Sequence, residues 1–399
     1  MQNKTDVFLP LHGGDIVSAS QRYDVAIDDW IDLSTGINPE HYPVDNIPLQ
    51  SYFRLPYITD TFNNAVNHYY LSDNKIQKNI AFLAVAGTQV AIQALPSLLA
   101  NFPVLLPKVG YQEHRQHWQK NAVPSATFNT KSNATLNATS HSNSINDYPS
   151  LNLQEATEHI HYALTNNNKQ HIVIINPNNP TGLMFDKQQL LSWANMLHKD
   201  AYLIVDEAFI DSTPENSLLN TLTNPALNPA TDPVLPHNII VLRSFGKFFG
   251  LAGIRLGFIF SNKLLMQQLA NAVGIWQVNG PAQSLAIAAL QDKQWQEETM
   301  IRIKRNANHT QDCCQHLTSL SQQQYHQHQH HHSDLFSSYF FSRDQAISIN
   351  HSLALSGILT RVIELDSSRA ILRIGTLSAE DKTSADRLST AINSLRITP

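Results

Sequence analysis

Residues 244–257 read S-F-G-K-F-F-G-L-A-G-I-R-L-G, and Lys247 is the one lysine among these mainly apolar side chains. No acidic residue stands within several positions of Lys247, and an apolar run at 239–242 precedes the stretch. Because burial disfavours the charged form of an amine, this setting predicts a lysine with a lowered pKa. A neutral lysine amine is the nucleophile that condenses with carbonyl compounds. A buried loop whose lysine extends its ammonium to water gives the same local pattern.

The apolar runs on either side of this stretch predict an α/β fold. They lie at 81–86, 104–106, 171–175, 201–205 and 239–242, they alternate with helical patterns, and 255–260 is compatible with an antiparallel strand. Such alternation is typical of a mainly parallel sheet flanked by helices. Ligands of these sheets bind beyond the carboxyl ends of the strands. We therefore expect Asn179, Asp206 and Lys247, which follow three of these ends, on one rim.

Three parts are expected along the chain. An N-terminal segment, 1–50, is rich in turn-forming residues and is expected to close on the site. Residues 51–285 carry the alternating pattern of the large domain. Residues 286–399 predict a smaller α/β domain, with strand patterns at 335–341 and 370–375.

Composition excludes several classes of protein. The 399 residues carry a formal net charge of −5, which gives no basic field for nucleic acid. No apolar run approaches the roughly 20 residues of a membrane span, and the first residues lack the apolar core of a signal peptide. The two cysteines, Cys313 and Cys314, are adjacent and poorly placed for a structural disulfide, which favours a reducing compartment. We expect a cytoplasmic protein.

Two polar tracts interrupt the pattern. Residues 129–147 are rich in Asn, Ser and Thr, and predict a mobile surface loop. The tract at 322–332 contains five histidines, and a solvated loop is favoured over a metal site because no second ligand cluster accompanies it. We predict no functional metal, although fortuitous affinity for zinc or nickel is compatible with the tract.

The polar residues at the strand ends suit an aldehyde cofactor held by Lys247. Asp206 suits the role of a carboxylate that keeps a ring nitrogen protonated, although a helix-capping aspartate would look the same. Asn179 suits a donor to a phenolic oxygen, and Arg373 suits a partner for a substrate carboxylate. The strand, Gly-Thr and helix junction near 87 suits a phosphate, for which the expected ligands are Gly87, Thr88, Ser244 and Arg255.

The order of these motifs carries a family resemblance. G-T-Q at 87–89, N-P-N-N-P-T-G at 176–182, D-E-A-F at 206–209, the stretch at 244–257 and L-R-I-G at 372–375 resemble the fold-type I pyridoxal-phosphate enzymes of the class I/II aminotransferase family. The resemblance implies the type I fold, a homodimer, pyridoxal 5′-phosphate as cofactor and Lys247 as its Schiff-base lysine. The cofactor contacts that it implies are Gly87, Thr88, Gln89, Tyr111, Asn179, Asp206, Phe209, Ser244 and Arg255.

Within that family, three further motifs most resemble the threonine-phosphate decarboxylases of cobalamin biosynthesis. They are H-G-G-D at 12–15, W-I-D-L-S-T-G-I-N-P at 30–39 and A-G-T-Q-V-A-I-Q-A-L-P at 86–96. The resemblance implies decarboxylation of L-threonine O-3-phosphate to (R)-1-aminopropan-2-yl phosphate. It implies substrate contacts at His12, Asn38, Arg361 and Arg373.

Two alternatives stay open. An aminotransferase of the histidinol-phosphate kind shares most of these motifs, but such enzymes usually have tyrosine where this chain has Phe209. Relatives also often have a tyrosine at the position of Leu55, where it reaches the cofactor of the neighbouring subunit. A metal- or partner-binding scaffold that uses the histidine tract is the other alternative, and it leaves the residues around Lys247 without a role.

Overall fold

The computed structural model describes residues 12–71, 80–122, 144–221, 236–324 and 331–396. The strands are β1 (Ile31–Asp32), β2 (Ile80–Val85), β3 (Val104–Pro107), β4 (Ile145–Tyr148), β5 (His171–Ile175), β6 (Leu203–Asp206), β7 (Ile239–Ser244), β8 (Gly257–Asn262), β9 (His331–Ser333), β10 (Phe336–Ser342), β11 (Ile358–Leu359), β12 (Arg361–Glu364) and β13 (Arg369–Gly375). The α-helices are α1 (Ile16–Tyr23), α2 (Asp60–Leu71), α3 (Gln89–Leu98), α4 (Gln112–Ala122), α5 (Leu153–Asn166), α6 (Lys187–Met196), α7 (Leu218–Thr221), α8 (Phe245–Phe248), α9 (Lys263–Val273), α10 (Gly280–Gln291), α11 (Lys293–Cys313), α12 (Gln315–Gln324), α13 (Arg343–Leu355) and α14 (Lys382–Asn393).

The larger sheet is mainly parallel, as the sequence predicts. Within the described ranges it has seven strands in the order β2-β8-β7-β6-β5-β3-β4, and β8 runs in the direction opposite to the other six. Asp206 at the end of β6 lies opposite Ile175 on one side and Leu242 on the other. The carboxyl ends of the parallel strands therefore meet along one rim.

Both faces of this sheet are covered. Ile172 and Ile174 of β5 pack into one core, while Val173 between them packs into the core on the opposite face. Side chains alternate along a strand, so a strand buried on both faces is apolar at every position. This is why β5 and β6 read as uninterrupted apolar runs.

A second, antiparallel sheet in the order β12-β13-β10-β9 forms the smaller unit with α13 and α14. Its core includes Tyr339, Leu353, Leu372 and Leu388, each 2% exposed or less. The pairing of β12 with β13 sets Arg361 opposite Arg373.

The N-terminal segment connects the two units. β1 pairs in parallel with β11, and Ile31 joins the core of the smaller unit. Further along, the Asn38 N–H donates to the Lys247 carbonyl at 3.0 Å and the Tyr42 N–H donates to the Phe249 carbonyl at 2.9 Å. One stretch of backbone therefore joins the smaller unit to the loop that carries Lys247.

The domain limits drawn from the sequence stay a prediction. Position 285, the proposed end of the large domain, falls inside α10. Ala282 and Ala289, on either side of it, both pack into the core of the large sheet. The core contacts therefore continue past the proposed limit to the end of α10.

The predicted loop at 129–147 is wrong at its C-terminal end. Ile145–Tyr148 forms β4, which pairs in parallel with β3, and the ring of Tyr148 is 2% exposed. The buried Tyr148 therefore holds the C-terminal end of the tract against the sheet, although the tract itself has no apolar pattern. Residues 129–143 lie outside the described ranges.

The histidine tract has ordered ends. Its first residues belong to α12 and its last two begin β9, while 325–330 lie outside the described ranges. No group of three or more His, Cys, Asp or Glu residues in the described part of the chain is arranged to hold a metal ion. Among the described helices, none combines the length and apolar character needed to cross a membrane.

Candidate active site

A cavity of about 220 Å³ opens at the carboxyl rim of the large sheet, between the two sheets. The sequence-predicted residues in its lining are His12, Gly87, Thr88, Gln89, Tyr111, Asn179, Asp206, Phe209, Ser244, Lys247, Arg255, Arg361 and Arg373. The topology explains this convergence, because most of these residues lie at or just beyond the carboxyl end of a strand on that rim, and Arg255 lies just before the antiparallel strand β8 begins there.

Lys247 lies in α8, directly after β7. Desolvation lowers the pKa of its amine from 10.5 to about 8, and the positive charge of Arg373 adds to that effect. Asp206 acts in the opposite direction but does not cancel it. With such a pKa, about a tenth of the amines are neutral at pH 7. The lysine is therefore a usable nucleophile near neutral pH.

Asp206 is held by two donors. Nε2 of the buried His114 lies 3.0 Å from one carboxylate oxygen, and the Ala208 N–H donates to the other at 3.1 Å. Asp206 itself is 3% exposed. A carboxylate fixed in this way can accept a hydrogen bond from a cationic ring N–H. Sequence reasoning missed His114, because nothing in Y-Q-E-H at 111–114 shows that its last residue contacts Asp206.

A cradle for an anion lies where β2 meets α3. Gly87 has a φ of +85°, and a Cβ there would lie 2.5 Å from Nη2 of Arg255. A Cβ on Gly257 would lie 2.6 Å from the Thr88 nitrogen. The Gly87 N–H donates to the Val85 carbonyl, so Gly87 contributes space rather than a donor. The start of α3 and the guanidinium of Arg255 supply the positive charge.

Gln89 and Tyr111 lie beside this cradle. The Tyr111 hydroxyl donates to Oε1 of Gln89 at 3.4 Å. Burial, followed by the nearby carboxylates of Glu113 and Asp206, raises the pKa of Tyr111 to about 12. The phenol therefore keeps its proton at neutral pH, and its ring offers a flat apolar face at the cavity wall.

Arg373 crosses from the small sheet into the cavity. One of its Nη groups donates to Oδ1 of Asn179 at 2.6 Å, and the other donates to the Ser34 carbonyl. Burial, followed by the charge of Arg361, lowers the pKa of Arg373 to about 9. Its Nε has no hydrogen-bond partner among the described residues. An anionic ligand bound here would offset the repulsion between the charges of Arg373 and Arg361.

Phe209 forms part of the wall next to Lys247. Nζ of Lys247 lies 5.5 Å from the centre of the Phe209 ring, which meets Phe336 edge-on at 5.3 Å. A Cβ on Gly36 would lie 2.8 Å from Phe209 Cε1. Glycine at position 36 is therefore required by the close approach of this ring.

The substrate role predicted for Asn38 is not supported by its position. Asn38 is 2% exposed and lies outside the cavity lining. Its amide donates to the Phe248 carbonyl at 2.9 Å, and its side-chain oxygen accepts from the Glu40 N–H at 3.0 Å. These bonds occupy the side chain with backbone groups, so Asn38 supports the Lys247 loop from behind.

The donor set fits pyridoxal phosphate. The chain presents a lysine with a lowered pKa, an anchored carboxylate, an asparagine and a glycine-lined cradle with an arginine. These match an aldehyde, a ring nitrogen, a phenolic oxygen and a phosphate, respectively. Lys247, Asp206, Asn179 and Arg255 would hold those four parts of the cofactor.

Comparisons with known proteins agree with this chemistry. The family model for aminotransferase class I and II matches residues 49–392. A threonine-phosphate decarboxylase of Pseudomonas aeruginosa is 34% identical over 293 residues, which cover 73% of this chain and 74% of that protein.

Two solved structures share the fold. Histidinol-phosphate aminotransferase from Sinorhizobium meliloti in complex with pyridoxal-5′-phosphate has a TM-score of 0.68 at 18% identity, covering 99% of this chain and 98% of that one. L-threonine-O-3-phosphate decarboxylase from Porphyromonas gingivalis has a TM-score of 0.63 at 17% identity, covering 91% and 98%. With the family model spanning most of its length, the chain belongs to the class I and II aminotransferase family of pyridoxal-phosphate-dependent enzymes.

Proposed function

We propose that this enzyme decarboxylates L-threonine O-3-phosphate to (R)-1-aminopropan-2-yl phosphate, the cobalamin-pathway reaction that the sequence resemblance implies. The observation that carries the proposal is the pair Arg361 and Arg373, which lie directly opposite each other on β12 and β13 and both line the cavity. Like charges in directly opposed positions destabilise a sheet. A ligand with more than one anionic group would offset this repulsion beside the cavity.

The charges of the cavity match such a substrate. Among the described residues, its lining contains Lys247 and three arginines, against the one carboxylate of Asp206. Once Arg255 is assigned to the cofactor phosphate, Arg361 and Arg373 remain for the substrate. Threonine phosphate carries a carboxylate and a phosphate on one small molecule. Arg373, already fixed by Asn179, offers a planar guanidinium suited to the carboxylate, which leaves Arg361 and His12 for the phosphate.

Pyridoxal phosphate, when bound, supplies an aldehyde that condenses with amines and a ring that accepts the electron pair left when CO₂ departs. The chain supplies orientation and proton control. Arg373 and Arg361 fix the two ends of the substrate, and that orientation decides which bond at Cα breaks. Lys247, with its pKa near 8, is suited to hold a proton at Nζ and deliver it to Cα after CO₂ has left. The reaction consumes one proton for each CO₂ released.

The relative from Pseudomonas aeruginosa, named a threonine-phosphate decarboxylase and matched over most of both chains, also supports the proposal. An aminotransferase acting on histidinol phosphate is the rival, because the fold is shared with enzymes of that name. Histidinol phosphate has no α-carboxylate, so on its own it supplies an anionic group for only one of the two arginines.

The test is direct. Purified enzyme is incubated with threonine phosphate, and separately with histidinol phosphate plus 2-oxoglutarate, and CO₂ and glutamate are measured. We expect CO₂ from the first mixture. Glutamate from the second with no CO₂ from the first would show that the enzyme is an aminotransferase.

We also propose that the enzyme is a homodimer. An apolar patch is exposed along 49–58 and continues onto 275–276, where the rings of Tyr57 and Trp276 meet edge-on at 6.2 Å. A contiguous exposed patch of this kind marks a protein interface, and the family resemblance makes a second copy of the chain its occupant. Its exposed side chains are Leu49, Tyr52, Phe53, Leu55, Tyr57, Ile58, Ile275 and Trp276.

A further inference from the structure

His12 is held at the cavity by a residue that does not line it. The His12 side chain is 48% exposed, and its Nε2 lies 3.2 Å from Oε1 of Glu113. The Glu113 side chain is only 10% exposed and lies behind the cavity lining. Glu113 therefore contacts His12 from the protein side and leaves the rest of the ring toward the cavity and the solvent.

The carboxylate of Glu113 is fixed by several neighbours. Nε2 of His117, one helical turn along α4, lies 3.3 Å from Oε2. The side-chain amide of Gln89 donates to the same oxygen, and Gln89 in turn accepts from Tyr111. No lysine or arginine of the described ranges forms an ion pair with Glu113. A largely buried carboxylate needs such donors, because burying it without partners costs several kcal/mol.

The contact joins the two sides of the cavity. Glu113 belongs to α4, which packs on α3 beside the large sheet. His12 belongs to the N-terminal segment, which Gly14 ties to Ser34 through a 2.7 Å hydrogen bond. Ser34 also accepts from Arg373 of the small sheet. The imidazole thus bridges from the Arg373 side of the site to the Gln89 side.

We propose that Glu113 is a positioning residue that holds the imidazole of His12 at the mouth of the cavity, where it meets the phosphate of the substrate. This inference rests on the proposed function, in which His12 and Arg361 receive that phosphate. Without Glu113, the half-exposed ring is free to sample other rotamers, and the substrate must fix it on binding. Glu113 therefore acts on substrate affinity rather than on the chemical step.

The test compares two substitutions on one contact network. Glu113→Gln keeps the size of the side chain but replaces one acceptor oxygen by an NH₂ group. His117→Asn removes the other imidazole from the same carboxylate and leaves His12 in place. We expect Glu113→Gln to raise KM for the phosphorylated substrate about tenfold with kcat within about twofold, the order for one charge-assisted hydrogen bond. His117→Asn should change KM by less than about twofold, because the side-chain amide of Gln89 still donates to Oε2 of Glu113.

A double variant separates positioning from a general structural effect. If Glu113 acts through His12, then His12→Ala combined with Glu113→Gln has the KM of His12→Ala alone. Additive effects, or an unchanged KM in Glu113→Gln, overturn the inference. Cofactor absorbance should be the same in all four variants. Should Glu113→Gln fail to fold, Glu113→Asp, which withdraws the carboxylate by one methylene, is compared in its place.

A measurement on the holoenzyme without substrate keeps the two proposals distinct. Hydrogen–deuterium exchange in the peptide covering 13–20 should be about tenfold faster in Glu113→Gln than in the wild type, and unchanged in His117→Asn. If neither substrate mixture is turned over, the proposed function is wrong. If the exchange rate is equal in the wild type and Glu113→Gln, the positioning of His12 by Glu113 is refuted whatever the substrate is.

Discussion

Replacing Lys247 by methionine should stabilise the cofactor-free protein at neutral pH. Methionine fills a similar volume without a charge, whereas the lysine ammonium is held in a site that lowers its pKa from 10.5 to about 8. The difference is about 2.5 pH units, and at ~1.4 kcal/mol for each unit the burial of the charged form costs between about 3 and 4 kcal/mol. Removing the charge should recover most of that free energy of unfolding.

The pH dependence has a definite sign. In the folded protein Lys247 loses its proton near pH 8, and in the unfolded chain near 10.5. Between these values the unfolded state binds more protons, so the free energy of unfolding of the wild type rises with pH. Below pH 8 both states are protonated and the full cost is present. The advantage of the methionine variant should therefore be greatest at pH 7 and nearly absent at pH 10.5.

The assay is urea unfolding of protein freed of cofactor with hydroxylamine, at pH 7 and at pH 10. Lys169→Met is the matched control, because Lys169 is exposed in the turn before β5. Its unfolding midpoint should not move relative to the wild type at either pH. If Lys247→Met is no more stable than the wild type at pH 7, the amine is not desolvated and the argument for its reactivity fails.

Three further outcomes follow from the site and the surface. Arg361→Ala should raise KM about thirtyfold, which corresponds to about 2 kcal/mol, as expected for the loss of a charge-assisted partner, and should leave the cofactor absorbance unchanged. A changed absorbance spectrum would indicate that Arg361 contacts the cofactor instead. Gly87→Ala should weaken cofactor binding in a fluorescence titration because its Cβ collides with Arg255, while Gly253→Ala, with nothing within 4 Å, should not. Phe53→Asp should convert the proposed dimer to monomers in sedimentation, and a fully active monomeric wild type would contradict the dimer.

The rim of the large sheet was predictable because its signals are local. Each of Gly87, Asn179, Asp206 and Lys247 follows a short apolar run that is typical of a buried strand. Parallel strands place such positions together whatever the rest of the chain does. The alternation in the sequence is thus enough to predict that these residues meet.

The neighbours that orient them were not predictable in the same way. His114 and Asp206 are 92 positions apart, and nothing in either stretch shows that they touch. Asn38 was predicted to contact substrate, but its side chain bonds to backbone groups instead. The sequence of a loop is the same in both cases, so it does not distinguish them. Tyr148 shows that one buried ring anchors a strand at the end of a tract whose composition predicts a loop.

The short stretch from Ser34 to Asn38 spans the distance between Arg373 and the loop that carries Lys247. At one end its carbonyl accepts from Arg373, and at the other its N–H is bonded to the carbonyl of Lys247. The number of residues between them helps to set how far Arg373, to which we assign the substrate carboxylate, stands from Lys247. One inserted residue would add up to about 3.5 Å of chain, more than the length of a hydrogen bond. We therefore expect the length of this loop to affect the proposed reaction through the distance between these two side chains.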